Sequence, residues 1–131
     1  MRLLLDSHVF VWAKAKPEKL SVQARATIAD PKNELFVSVV SAWELWVKNA
    51  KKSIAPVLDG GPPAFMAALA DSGMALVEIR LEHAAAAAAL PLHHRDPFDR
   101  MLIAQAMVER LTLVTSDTEF TPYAGLRTLK A

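Results

Sequence analysis

The sequence predicts an α/β protein in which a central, mostly parallel sheet of four to five strands lies between layers of helices. Short apolar segments recur at Leu3-Leu4-Leu5, Leu35 to Val39, Met74 to Ile79 and Leu111 to Thr115. Stretches with helix signals separate them, and that alternation builds parallel sheets. Several of the apolar segments also run straight into an acid, and parallel strands gather such ends on one edge.

Each element has its own local reason. Leu3-Leu4-Leu5 is apolar on both faces, as a central strand must be. Val9 to Ala13 starts a helix. Ser21 is placed to cap a second helix that runs to about Ala29, where Asp30-Pro31 ends it. Leu35 to Val39 forms the second strand, and an amphipathic helix follows from Ser41 to about Lys51. Gly60-Gly61-Pro62-Pro63 is a loop, and the helix from Pro63 to Asp71 is closed by Gly73. Met74 to Ile79 is the third strand. Glu82 to Leu90 holds six consecutive alanines, which favour a tightly packed helix. Pro97 to about Arg110 is the clearest helix. Leu111 to Thr115 is the fourth strand, and Leu126 to Leu129 fits a short edge strand.

Composition narrows the class. The chain has 131 residues, 53% hydrophobic and 22% charged, which fits a single globular domain over residues 1–131. A net charge of +1 argues for neither nucleic acid nor membrane, so any RNA contact must come from a local patch. The absence of cysteine excludes disulfides and thiolate metal sites. Asp6 and His8 interrupt the first apolar stretch too early for a signal peptide. No apolar run approaches the roughly 20 residues of a membrane helix. A cytoplasmic location is the expectation.

Asp6, Glu44, Asp99 and Asp117 stand at the ends of these elements. Singly, three of them have local explanations. Ser41-Ala42-Trp43-Glu44 has the form of a capping box. Asp96-Pro97-Phe98-Asp99 is a helix start, with Asp96 as cap and Asp99 matched to the macrodipole. Asp117 is placed to cap a turn through Thr118-Glu119-Phe120. Asp6 directly follows a buried strand, where its desolvation needs a strong partner. Taken together, four acids on one edge repel unless a hard cation lies between them, and magnesium or manganese takes such ligands. A metal held by acids suits phosphodiester cleavage.

The remaining polar and aromatic candidates stay open. His8, His93 and His94 lack the spacing of a histidine metal pair, and loop or packing roles suit them better. Lys48, Lys51, Lys52, Arg95 and Arg100 form either a solvated face or a basic rim for phosphates. Trp12, Trp43 and Trp46 are core, interface or base-stacking aromatics.

Leu4-Leu5-Asp6-Ser7-His8, Ser38 to Leu45, Leu90-Pro91, His94 to Ala106 and Leu113 to Phe120 together resemble a PIN-domain nuclease of the VapC toxin type. The resemblance covers essentially the whole chain in order, and Asp96-Pro97-Phe98-Asp99-Arg100 is its most specific block. It implies a PIN-like α/β/α sandwich and a magnesium- or manganese-dependent endoribonuclease. Such an enzyme is the toxin of a toxin–antitoxin pair, is usually dimeric and is inhibited by a VapB-type antitoxin. Carried over, the family's metal-binding acids fall on Asp6, Glu44, Asp99 and Asp117, with Asp96 in support. Ser7 keeps the hydroxyl where threonine is commoner. The implied chemistry is attack on phosphorus by metal-activated water, with Asp6, Glu44 and Asp99 anchoring the metal. Asp117 completes the site or positions a second ion. Ser7 and Ser116 are placed to orient waters or acids. Trp43, Trp46 and Val9 to Trp12 are candidate walls for an antitoxin segment.

Two other readings compete. A metal-dependent phosphatase or phosphotransfer domain also places an acid after its first strand. The haloacid-dehalogenase type needs a second acid two residues later, where His8 stands. A non-catalytic PIN-like interaction module keeps the fold without the chemistry, but it has no reason to hold four like charges together.

Overall fold

The computed structural model describes residues 1–92, 96–120 and 123–131. Its five strands are β1 (Arg2–Leu5), β2 (Glu34–Ser38), β3 (Met74–Val77), β4 (Thr112–Thr115) and β5 (Arg127–Lys130). They form one sheet in the order β3-β2-β1-β4-β5, and every pairing is parallel. Leu4 pairs with Phe36 on one side and Leu113 on the other, and Leu3, Leu4 and Leu5 of this central strand are fully buried. The expected Leu126 to Leu129 edge strand is β5, shifted by one residue.

Six helices cover the sheet: α1 (Ser7–Ala15), α2 (Val22–Ala29), α3 (Val39–Lys51), α4 (Gly61–Asp71), α5 (Leu81–Ala89) and α6 (Pro97–Glu109). Phe10 of α1, Ala24 of α2, Leu45 of α3, and Phe65 and Leu69 of α4 build one apolar layer with Leu3, Leu5 and Val37. Leu102, Ile103 and Ala106 of α6 build the other with Leu4, Leu113 and Phe120. Helix α3 serves both layers, through Val40 on one side and Ala42 and Leu45 on the other. The alanines of α5 let it pack closely against α6. Short 3-10 turns at Pro17–Lys19, Pro56–Leu58 and Thr118–Phe120 complete the path.

Local rules set most helix starts. The Ser21 hydroxyl accepts from the N–H of Ala24 and caps α2 as expected. Asp96 accepts from the N–H of Phe98 at 2.9 Å, with Pro97 in the first turn of α6. Gly73 closes α4 at φ 64°, a conformation glycine adopts without strain.

Two expectations about caps are corrected. Helix α3 begins at Val39 rather than Ser41, and Ser38 caps it by accepting from the N–H of Val40 at 3.0 Å. Ser41 therefore lies inside the helix, its hydroxyl buried without a hydrogen-bond partner among the described residues, and no capping box joins it to Glu44. Asp6, the acid read without a local explanation, also caps a helix. Helix α1 starts at the next residue, and the Asp6 carboxylate accepts from the N–H of Val9 at 2.9 Å.

Candidate metal centre

The strand order reverses between β1 and β4, because β2 and β3 extend the sheet one way and β5 the other. Ligands of open α/β sheets bind outside the carboxyl ends of the strands at such a switch point. Asp6 follows β1 and Asp117 lies just beyond β4, so they flank it. Helix α3 leaves β2 at the same edge and carries Glu44, and the N-terminal turn of α6 brings Asp96 and Asp99.

Carboxylate oxygens of Glu44, Asp96 and Asp99 lie within 4.8 Å of one another. Glu44 is buried, and the two aspartates are half-buried. The Ser7 hydroxyl donates to Glu44 Oε1 at 2.6 Å, and Lys48 Nζ donates to Oε2 at 2.9 Å. Both Glu44 oxygens are thus held in place, one from α1 and one from the next turn of α3.

Asp6 stands beside this group and is 7% exposed. Burial pushes its carboxyl above the ordinary range, and the charge of Glu44 adds to that. Hydrogen bonds from the Thr115 hydroxyl and the N–H of Val9, together with the charge of His8, oppose the rise. Thr115 Oγ1 also accepts the backbone N–H of Asp117 at 3.0 Å, so one threonine at the end of β4 joins the Asp6 and Asp117 positions. The Asp117 side chain accepts from the N–H of Glu119 at 2.9 Å and starts the Thr118–Phe120 turn. Ser116 is exposed beside it.

The structure thus brings together two of the four acids read as ligands, Glu44 and Asp99, and adds Asp96, which the sequence placed in support. Asp6 lies alongside, and Asp117 sits outside the 4.8 Å group. The cap signature of Asp96 hid its second position, because Oδ1 of the same carboxylate satisfies the helix N-terminus.

Of the residues read as either a solvated face or a basic rim, Lys48 is bonded to Glu44, and Lys51 and Lys52 are exposed. Arg100 has a structural role. Its guanidinium donates to the carbonyls of Ala87, Leu90 and Pro91, satisfying the C-terminal end of α5. His93, His94 and Arg95 lie outside the described residues.

Sequence reasoning passed over a buried polar chain behind the centre. The Ser38 hydroxyl donates to Gln105 Oε1 at 2.5 Å, and Gln105 Nε2 donates to the Glu78 carbonyl at 3.2 Å. The His83 Nδ1 accepts the N–H of Arg80, which places the proton on Nε2, facing Glu109 at 2.9 Å. A lone histidine before six alanines and a glutamine inside α6 carry no local signal for such a network.

An all-oxygen, anionic donor set fits a hard divalent cation of the magnesium type. The chemistry available to it is hydrolysis of a phosphate ester.

This combination of fold and acid edge defines a class, and comparison with known proteins gives the same one. The PIN domain model matches residues 3–126, and the chain belongs to that family. It is 36% identical over 119 residues to Ribonuclease VapC22 of Mycobacterium tuberculosis, covering 88% of this chain and 86% of that protein. In fold it is similar to a chain of VapBC2 from Rickettsia felis bound to a DNA fragment from their promoter. The TM-score there is 0.73 at 17% identity, with 99% of this chain and 98% of that one covered. It is also similar to a chain of DNA-bound VapBC from Salmonella typhimurium, with a TM-score of 0.69 at 20% identity and the same coverage. A third likeness is to VapBC-5 from Mycobacterium tuberculosis, a member of the VapBC family of toxin–antitoxin systems. The TM-score is 0.65 at 19% identity, again with 99% and 98% covered.

Proposed function

We propose that this chain is a divalent-metal-dependent endoribonuclease and the toxin component of a toxin–antitoxin pair. The observation that carries this reading is the convergence of Glu44, Asp96 and Asp99 at the switch point of a PIN-domain sheet. The 36% identity to a protein named as a ribonuclease directs it to RNA. The likeness to chains of VapBC complexes directs it to a VapB-type antitoxin as partner. The same family reading makes it a homodimer in the cytoplasm. Among the described residues, no helix is long and apolar enough to cross a membrane.

Glu44, Asp96 and Asp99 hold the cation, magnesium or manganese. Asp6 contributes a fourth carboxylate, and Asp117 completes the site or positions a second ion. When bound, the metal supplies positive charge to the scissile phosphate and an acidified water to attack it. The chain's own residues set the geometry. Ser7 and Lys48 fix both oxygens of Glu44, so it meets the cation without a rotamer search. Thr115 and the start of α1 hold Asp6, and burial keeps bulk water from screening its charge.

The test uses purified full-length protein and single-stranded RNA. Cleavage appears with magnesium or manganese, disappears with EDTA, and falls to background in Glu44→Gln and Asp99→Asn. Undiminished cleavage by both variants overturns the reading. Turnover of a simple phosphate monoester without RNA cleavage favours the phosphatase alternative instead. Inertness toward both, with metal bound, favours the interaction module.

A further inference from the structure

Beside the metal centre lies a second feature, with a different chemistry. Helix α1, the Pro17–Lys19 turn after it and helix α3 enclose a cleft of about 170 Å³. Its walls include Trp12 and Leu45, and around them stand His8, Lys16, Lys19 and Lys48. None of the described residues that line it is acidic. In a chain of net charge +1, Lys16 and Lys19 put two exposed positive charges at its mouth, while the charge of Lys48 is paired with Glu44. The Trp12 indole is half-buried, with the His8 ring 6.2 Å away at an interplanar angle of 51° and Lys19 Nζ 6.0 Å from its centroid.

The cleft joins the acid cluster at two points. His8 follows Ser7, which is bonded to Glu44, and Lys48 is itself bonded to Glu44. A strand of RNA with one phosphate at the carboxylates can therefore place a neighbouring nucleotide in it. We infer that this cleft is the subsite for a nucleotide adjoining the scissile bond, with its base against Trp12 and its phosphate at Lys16 and Lys19. This inference rests on the ribonuclease reading above. Flat aromatic surface with a cationic rim is what single-stranded nucleic acid selects: the ring stacks on any base, and the lysines follow the backbone. A protein segment in the same cleft is the rival occupant, and the absence of a lining acid leaves a basic segment no partner there.

The experiment measures binding of a short fluorescent single-stranded RNA to full-length protein in the cleavage-inactive Asp99→Asn background, across salt concentrations. Trp12→Ala is expected to weaken binding about 5- to 150-fold, the range for loss of one stacked base, with Trp12→Phe intermediate. Lys16→Gln and Lys19→Gln, both at exposed positions, are each expected to lower the slope of log K against log salt by about 0.7. Because Trp12 also touches the core, an abasic nucleotide is walked along the RNA as a second readout. One abasic position should weaken binding to the parent and have no further effect in Trp12→Ala. If the parent binds RNA, but neither the lysine variants nor the abasic scan changes anything, the subsite is overturned and the nuclease reading stands. If these variants lose inhibition by an antitoxin segment while RNA binding is unchanged, the cleft belongs to the protein partner and the inference is overturned. A wild-type chain that neither binds nor cleaves RNA overturns both.

Discussion

Asp6 does two jobs with one carboxylate: it caps α1, and it lends charge to the acid edge. The cap is worth about 1 kcal/mol and is kept by asparagine. The charge is a cost in the metal-free protein, because burial and Glu44 raise the folded pKa above the unfolded value of about 3.9. Between those two values the folded chain binds more protons than the unfolded one, so stability falls as pH rises through that window. Below both values the penalty is absent. Asp6→Asn is therefore expected to abolish cleavage yet melt at or above wild type at pH 7 without metal, with the difference shrinking toward pH 4. Melting curves across that pH range check it, and a variant that is unstable at every pH would make Asp6 structural. Ser7 offers the contrasting case. Its bond to Glu44 is buried and charge-assisted, a type worth about 1.5–3 kcal/mol. Ser7→Ala should lose stability on that scale and raise the magnesium concentration for half-maximal activity about 10- to 100-fold. A magnesium titration in which only the melting temperature moves would remove Ser7 from the site.

At the scale of elements, α6 shows what local sequence can and cannot say. Its start was legible because Asp96 and Pro97 act on neighbouring N–H groups, so Asp96 reads as a cap without reference to the rest of the fold. The position of its carboxylate beside Glu44, 52 residues away in sequence, depends on how α3 and α6 pack, and no local pattern carries that. The start of α3 was misread for the same reason. Ser38 and Ser41 are both good caps on paper, and the buried bond from Ser38 to Gln105 marks the one that the tertiary structure uses. Arg100, open between a solvated face and a basic rim in the sequence, closes the end of α5 with its fork. The C-terminal end of α6 supplies a prediction. Arg110 follows it in the left-handed region at φ 56° and ψ 49°, where a side chain costs about 1–2 kcal/mol and glycine costs none. Glycine loses more entropy on folding, so Arg110→Gly should stabilise by a net of up to about 1 kcal/mol. Thermal unfolding checks this, and a lower melting temperature would mean that the Arg110 side chain makes a compensating contact.

For the whole molecule, the parallel sheet concentrates negative charge at one end of a chain whose net charge is only +1. Such a pocket binds any cation that reaches it, and two kinds matter. A divalent ion bound only by the folded state stabilises it by mass action, about 2.7 kcal/mol at a hundredfold excess over its Kd. Magnesium should therefore raise the melting temperature of wild type by several degrees and that of Asp99→Asn by much less. An arginine from the proposed VapB-type antitoxin would be the second kind. Its guanidinium matches a carboxylate in a bidentate bond, and the Glu44, Asp96 and Asp99 group presents oxygens close enough to receive it. The apolar wall for the rest of that segment is narrower than the tryptophans suggested. Val9 and Val11 are buried in the core and Trp46 packs on Phe65, which leaves Trp43, 56% exposed and edge-on to Phe98, and the half-buried Trp12 as the accessible rings. Metal and arginine then compete for the same oxygens. Inhibition of RNA cleavage by the antitoxin should weaken as magnesium rises, and replacing one arginine in the antitoxin's C-terminal segment with alanine should relieve it. If each arginine can be replaced in turn without loss of inhibition while the complex persists, the antitoxin leaves the carboxylates alone and works by covering the path of the RNA.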